Sequence, residues 1–465
     1  MSQSLNGKSC KKIHFTGILG SGMSSIAQFL RWQDCAISGS DRLIDNAEEN
    51  PVFHKLKNIG CSIHPQNGSG INESTDALCV STAIENDNPD LLKAQQLNIP
   101  VFHRSQVLAS IVEKHKTVAV AGTSGKSTVT ALIFELLYLC NCSPSLISGA
   151  ALKRLEQEGL VGNAYKGDSE ILVIEADESD GTLVHYKPWI SLILNVSKDH
   201  KPIKDVVALF QYLASQSQLC VVNKDDHLLN TVKSSLSFGL DREADFHPDS
   251  VEYFSLSSQV VIGGKNFHLP LAGQHNVSNL LAALCICLRL NCSAEDLQRA
   301  VRQFMGVHRR FSITKTAAGV TVIDDFAHNP EKIKAAISAA RNISSRLFVV
   351  YQPHGFGPTE FLKHDYAEAF TAILHQKDHL LLLPIYYAGG SAVKSIQSDD
   401  LIELMKPTAN NATAPPDRQA ALCYLKERVK AGDGVLLMGA RDPSLSNFAC
   451  KLVTAFGGPV NSDSL

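Results

Sequence analysis

Three times in this chain an apolar, β-rich run ends at a glycine or polar turn and passes directly into a helical pattern. The stretches are KKIHFTGILGSGMSSIAQFLRW, KTVAVAGTSGKSTVTALIFELLYL and GVTVIDDFAHNPEKIKAAISAAR. Strands that alternate with helices over short connections bury both faces of a parallel sheet, so this grammar points to α/β folding throughout. Further strands are read at CAISGSD, ALCVSTA, EILVIEA, WISLILNVS, LCVVN, LFVVYQPH, LLLLPIYY and GVLLMGA, and a strong helix at GQHNVSNLLAALCICLRL. Pro330 is expected in the first turn of its helix, where its missing N–H costs nothing. At roughly 150 residues per domain, 465 residues suggest three domains. We place them at 1–112, 113–307 and 308–465.

Composition excludes more than it specifies. Apolar residues make up 44% and charged residues 19% of the chain, as in a globular protein with an ample core. The net charge of -3, with Lys and Arg dispersed, gives no footprint for nucleic acid. The N-terminal stretch is polar and has no apolar signal core. The longest apolar run, 280–288, falls well short of the ~18 residues that a membrane helix needs. Twelve cysteines, mostly inside apolar runs and without a C-x-x-C pair, read as buried free thiols of a cytoplasmic protein.

The stretch AGTSGKST, residues 121–128, carries the chemistry. It ends as a phosphate-binding loop does, but the usual G-x-x-x-x-G-K-[ST] spacing would put glycine at 120, where Val120 stands. Its context compensates. A buried strand leads into Gly122, Gly122 and Gly125 permit tight turning, and a helix is expected to begin around Ser127. N–H groups at that helix start would face an anion. Lys126 would reach the terminal phosphates, and the Ser127 hydroxyl would serve Mg2+. Acidic residues follow two neighbouring strands: Glu175, Asp177, Glu178 and Asp180 after ILVI, and Asp199 with His200 after ILNVS. Ligands of open α/β sheets collect at such strand ends. In the first segment Gly17, Gly20 and Gly22 form a G-x-x-G-x-G loop suited to a pyrophosphate, with Asp41 ending the next strand. That loop alone also fits a dinucleotide, with Asp41 on a ribose.

In order along the chain, AGTSGKST, IEADESDGTLVHYKPWISLILNVSKDH, GQHNVSNLLAA, GVHRRF and DDFAHNP resemble the motifs of the Mur ligases, the ATP-dependent amide-forming enzymes of peptidoglycan assembly. GILGSGMSSIA, SGSD and STAIENDNP resemble the members that act on UDP-N-acetylmuramate. The resemblance implies an N-terminal Rossmann-like UDP-binding domain, a central P-loop ATPase-like parallel sheet and a C-terminal Rossmann-like α/β domain. It implies phosphorylation of the sugar acid by ATP, then attack by L-alanine or, in a close relative, by a short peptide.

Residue roles carried over by motif are as follows. Gly122, Thr123, Ser124, Gly125, Lys126, Ser127 and Thr128 would cradle the phosphates. Ser127 and Glu175 would hold one Mg2+, and Glu175 with His200 a second. His275, Asn276 and Asn279 would meet the adenine side. Arg309, Arg310, Asp324, Asp325 and His328 would act on ATP and substrate from the third segment. Gly17, Gly20, Gly22, Asp41, Ser81, Thr82 and Arg104 would bind the UDP-sugar, with His328 and His354 near substrate. A monomer or weak dimer is expected.

The chain departs from the family pattern at QPHGFGPT, where Gly355 and Pro358 replace two arginines of the alanine-adding members. Lys363 and Arg441 are candidates to substitute for them. Ala327 in DDFAHNP is closer to the peptide-adding members. No lysine lies between Lys204 and Lys224, so direct metal ligation is expected without the carbamylated lysine that some members carry.

Overall fold

The computed structural model describes residues 3–5, 8–44, 50–178, 182–197, 202–387, 394–405, 411–442 and 444–460. These fall into two compact units, Met1–His308 and Arg309–Leu465.

The first unit contains two large sheets. One is five-stranded and wholly parallel, in the order Ser62–Pro65, Ala36–Asp41, Lys12–Thr16, Ala77–Val80 and Val101–His103. The chain enters at the middle strand and winds outward both ways, so a switch point opens beside Lys12–Thr16 at the carboxyl edge. Helices Ser21–Arg31, Pro51–Asn58, Pro89–Gln96 and Arg104–Val112 connect the strands. Two of them begin at an Asn-Pro pair. Asn50 and Asn88 accept from the N–H two residues on, while the proline supplies the preset φ of the first turn.

The second sheet has seven strands, in the order Ala164–Tyr165, Ser145–Ile147, Ile171–Glu175, Lys116–Ala121, Ile190–Ile193, Leu219–Asn223 and Leu236–Phe238. All neighbours are parallel except the first pair. Lys116–Ala121 lies inside the sheet and is almost fully buried. Helix Lys126–Leu139 is apolar nearly all round and packs into the core with helix Gln274–Arg289. A helix with no polar face must be enclosed on every side. Two small antiparallel sheets, Gln3–Leu5 with Lys8–Cys10 and Ser250–Tyr253, Ser258–Ile262 and Lys265–Leu269, belong to the same unit. The two large sheets and their helices share an apolar core, with strand residue Phe15 and helix residue Phe29 from one side and strand residue Ile174 and Phe210 of helix Ile203–Ser215 from the other. Gln28 and Asn163 join them by a buried side-chain hydrogen bond of 2.8 Å.

The second unit is a six-stranded sheet in the order Ser312–Lys315, Thr321–Asp325, Gly434–Gly439, Leu347–Gln352, His379–Leu382 and Ala412–Thr413, with only the first strand antiparallel. Pro330 stands in the first turn of helix Pro330–Arg341 as expected, with Asn329 as its cap. No helix is long and apolar enough to cross a membrane among the described residues. Most cysteines are buried free thiols; Cys423 and Cys450 depart from that expectation and are exposed. Both sit at exposed positions of helices Arg418–Arg428 and Leu445–Ala455, Cys423 within the apolar run AALCYL.

Candidate functional site

The buried strand Lys116–Ala121 delivers the chain to Gly122, whose φ is +141°, and Gly125 stands at +83° as the N-cap of helix Lys126–Leu139. That helix starts one residue before the expected position. A left-handed residue just before a helix turns the loop sharply, and no side chain caps the helix start. A Cβ on Gly125 would stand 2.8 Å from Asn279 Oδ1, so glycine here lets helix Gln274–Arg289 close on the loop. The GQHNVSN stretch is thereby brought to AGTSGKST. Within it Asn276 Nδ2 donates to the Ala272 carbonyl at 2.8 Å, and the His275 ring, in the helix's first turn, lies against Gly273.

Asn195 was not singled out from sequence, yet it holds the loop. Its Oδ1 accepts from Thr123 Oγ1 at 3.0 Å and from the Ser124 N–H at 2.9 Å, while its Nδ2 donates to the Ser124 carbonyl at 3.0 Å. Its place two residues beyond strand Ile190–Ile193, which pairs with the loop's own strand, makes this possible. The missing glycine at 120 has a reason in the same register: Val120 is fully buried between neighbouring strands and has no part in the turn.

Lys126 bends back over the loop. Its Nζ donates to the Gly122 carbonyl at 2.7 Å and to Glu178 Oε2 at 2.6 Å, with Asp177 Oδ1 at 3.5 Å. Burial disfavours its charge, but Glu178 and Asp177 outweigh burial and hold the ammonium above the usual lysine range. Ser127 Oγ donates to Glu175 Oε1 at 2.9 Å, and Glu175 Oε2 accepts from the Gly149 N–H at 3.0 Å and from Ser148 Oγ at 3.3 Å. A hydroxyl and a carboxylate converging beside a lysine are hard oxygen donors of the kind Mg2+ takes, usually completed by phosphates and water. The residues therefore fit a magnesium–nucleotide. Asp180, Asp199 and His200 lie outside the described residues. No group of three or more His, Cys, Asp or Glu forms a metal cluster by itself among the described ones.

At the five-stranded sheet, Gly17 has φ +81° and, with Ile18, donates its N–H to the Ser40 carbonyl. Asp41 is spent on the backbone: it accepts from the Leu19 N–H at 2.9 Å and the Leu43 N–H at 3.1 Å. Burial nonetheless raises its pKa. Gly20 caps helix Ser21–Arg31, and Arg104 lies against Gly22, with Nη1 3.0 Å from where a Cβ would be. Ser81 and Thr82 follow the strand Ala77–Val80 at the same carboxyl edge.

In the second unit the two adjacent arginines both lie over the Phe326 ring, Arg309 at 5.4 Å, but differ in burial and polar partners. Arg309 is buried at φ +54°, with Nε 3.1 Å from Asp324 Oδ1 and Nη2 2.6 Å from the Gly439 carbonyl. Arg310 stands over the Phe326 ring at 5.1 Å and is partly exposed. Asp325 accepts from the Phe311 and Ala327 N–H groups at 2.7 and 2.8 Å, and its burial raises its pKa. His328 Nδ1 lies 2.9 Å from the Phe326 carbonyl, which can only accept, so the proton is on Nδ1. Its ring meets that of His354 at 5.6 Å. Gly355 has φ +71° and donates to the Tyr386 carbonyl at 2.8 Å. Of the cations named as substitutes for the missing arginines, Lys363 is paired with Glu360 at 2.7 Å. Lys394, which sequence reasoning missed, stands over Phe356 and Tyr387, at 6.0 and 5.5 Å.

A glycine turn between a central parallel strand and a helix, with a lysine and a strand-end carboxylate upon it, has the form of a phosphate-binding loop. Comparison with known proteins carries this further. Residues 12–116 match the Mur ligase family catalytic domain, 120–287 the Mur ligase middle domain, and 309–441 the Mur ligase glutamate ligase domain. The UDP-N-acetylmuramate–L-alanine ligase of Syntrophomonas wolfei is 33% identical over 454 residues, covering 93% of this chain and 95% of that protein. Among solved structures, the UDP-N-acetylmuramate–alanine ligase of Thermotoga maritima superposes with a TM-score of 0.78 at 24% identity, covering 96% of this chain and 99% of that one. A murein peptide ligase from Psychrobacter arcticus superposes with a TM-score of 0.71 at 20% identity, over 97% and 99% of the two chains. The chain belongs to the Mur ligase family.

Proposed function

We propose that the chain is an ATP-dependent carboxylate–amine ligase that joins L-alanine to the carboxylate of UDP-N-acetylmuramate in peptidoglycan synthesis. The observation that carries the chemistry is the meeting of Lys126, Ser127 and Glu175 at one glycine turn. The observation that favours L-alanine is the one-third identity, over more than nine-tenths of the chain, to relatives that bear that activity in their names.

A carboxylate is a poor electrophile, and phosphorylation by ATP makes it an acyl phosphate that an amine can attack. The protein's task is then positioning and charge stabilisation. In this reading the N–H groups of 122–128 grip the β- and γ-phosphates, and Lys126 neutralises charge on the transferred group. Ser127 and Glu175 hold Mg2+, which supplies further neutralisation of phosphate charge. His275, Asn276 and Asn279 face the adenine side. Gly17, Gly20, Gly22, Ser81, Thr82 and Arg104 bind the UDP-sugar, and Asp41 shapes its loop. Arg310, His328 and His354 meet anionic substrate groups, while Arg309, Asp324 and Asp325 keep that cluster in form. We retain three functional domains at 1–112, 113–307 and 308–465.

The test is ADP release by purified protein with UDP-N-acetylmuramate, ATP and one amine at a time. Stimulation by L-alanine is the expected result. Stimulation only by a tripeptide would move the protein to the peptide-adding group, as Ala327 would suit, and stimulation by neither would end the reading.

A further inference from the structure

We propose that Glu178 is a positioning residue, the internal counter-ion of Lys126: it holds the lysine head away from the anion cradle in the nucleotide-free protein and yields it when phosphate arrives. The inference rests on the reading of Lys126 as a phosphate ligand and goes beyond it by naming what the phosphate must displace.

A lysine ammonium has three donors. In this protein one points to the carbonyl of Gly122, four residues back in its own loop, and another to Glu178 at 2.6 Å. Asp177 adds charge at 3.5 Å. The lysine and glutamate side chains are only 12% and 6% exposed, so the pair is not a surface contact that water dissolves at no cost. Asp177 is 42% exposed, and of the two adjacent acids Glu178 is therefore the desolvated partner. It lies three residues beyond strand Ile171–Glu175, the strand that neighbours the loop's own.

Two consequences follow. The loop's backbone is already in its glycine-turn form, but its one lysine is engaged, so nucleotide binds only as fast and as well as the pair gives way. Where the competent arrangement is a fraction of the population, apparent affinity falls by that fraction. The buried carboxylate also repels the incoming phosphates until cations offset it. Removing its charge while keeping its shape should therefore tighten nucleotide binding, which a group that merely supports the loop would not do.

The experiment measures ADP binding by titration calorimetry to the wild-type chain, Glu178→Gln and Lys126→Met, with and without magnesium. Glu178→Gln is expected to bind ADP roughly tenfold more tightly than wild type, with the larger gain in the absence of magnesium. Unchanged or weaker binding by Glu178→Gln, with wild type binding and Lys126→Met not, overturns the counter-ion role alone. Absence of binding by wild type, or equal binding by Lys126→Met, overturns the reading of Lys126 beneath it. Should Glu178→Gln not fold, Glu178→Asp carries the test. Its shorter stem loosens the pair while keeping the charge, a gain of about threefold is expected, and no gain overturns the proposal.

Discussion

The hydroxyl of Ser127, in the first turn of helix Lys126–Leu139, donates to the carboxylate of Glu175 at the last residue of strand Ile171–Glu175, at 2.9 Å. The contact ties the start of helix Lys126–Leu139 to the neighbouring strand end. Glu175 also accepts from the Gly149 N–H, so its orientation is set from two sides.

Glu175→Gln keeps the side chain's shape and one accepting oxygen, which can still take the Gly149 N–H, and removes the anionic metal ligand. Turnover should fall by about 100-fold or more, with a higher magnesium concentration for half-maximal rate, because a hard divalent cation prefers a carboxylate to an amide. Thermal stability should change little. ADP release followed across a magnesium titration checks this.

Gly125→Ala should damage nucleotide binding through geometry alone. At φ +83° a Cβ is strained, and it would press within 2.8 Å of Asn279 Oδ1. Strain on the order of 1–2 kcal/mol plus displacement of Asn279 should raise the KM for ATP by about tenfold or more. Steady-state kinetics at saturating acceptor will show it.

Glu135 predicts a pH dependence of stability. It sits in the buried middle of helix Lys126–Leu139, where Oε2 accepts from Arg154 Nε at 3.0 Å and from the Met305 N–H at 3.3 Å, while Oε1 has no hydrogen-bond partner among the described residues. Burial pushes its pKa up to about 7 against the pull of Arg154. Between about 4.5 and 7 the unfolded chain has released this proton and the folded one retains it. The folded state then binds more protons, and stability falls as pH rises through that window. The loss is on the order of 3 kcal/mol above pH 7. Glu135→Gln should gain stability relative to wild type at pH 8 and not at pH 4.5, as read from Tm at the two values.

The neighbouring arginines should divide stability from activity. Arg309→Ala leaves Asp324 buried without its guanidinium, and a cost of about 3–5 kcal/mol is expected. Arg310→Ala should leave Tm within a few degrees and lower turnover by about 10- to 100-fold, the worth of one charge-assisted contact. Calorimetric unfolding and ADP release on both variants separate the two roles.

What was legible in the sequence is local. Apolar runs that stop at glycine or at a polar turn marked the strand ends, because a short, β-rich apolar run suits a buried parallel strand and glycine readily makes the sharp turn that follows. The same signals located Lys126, Ser127 and Glu175, each within a residue or two of a strand end or helix start, where backbone geometry alone decides position. The helix start at Pro330 was readable for the same reason.

Tertiary structure decided between neighbours that look alike in a string. Glu178 rather than Asp177 is the buried partner of Lys126, Arg309 rather than Arg310 lies within the sheet edge, and Asn195 clamps a loop more than 70 residues earlier. Each choice depends on the register of non-adjacent strands and on which side chain loses its water. A charge or an amide carries no mark in the sequence of the direction it will face, whereas hydrophobic spacing and glycine do mark the backbone path.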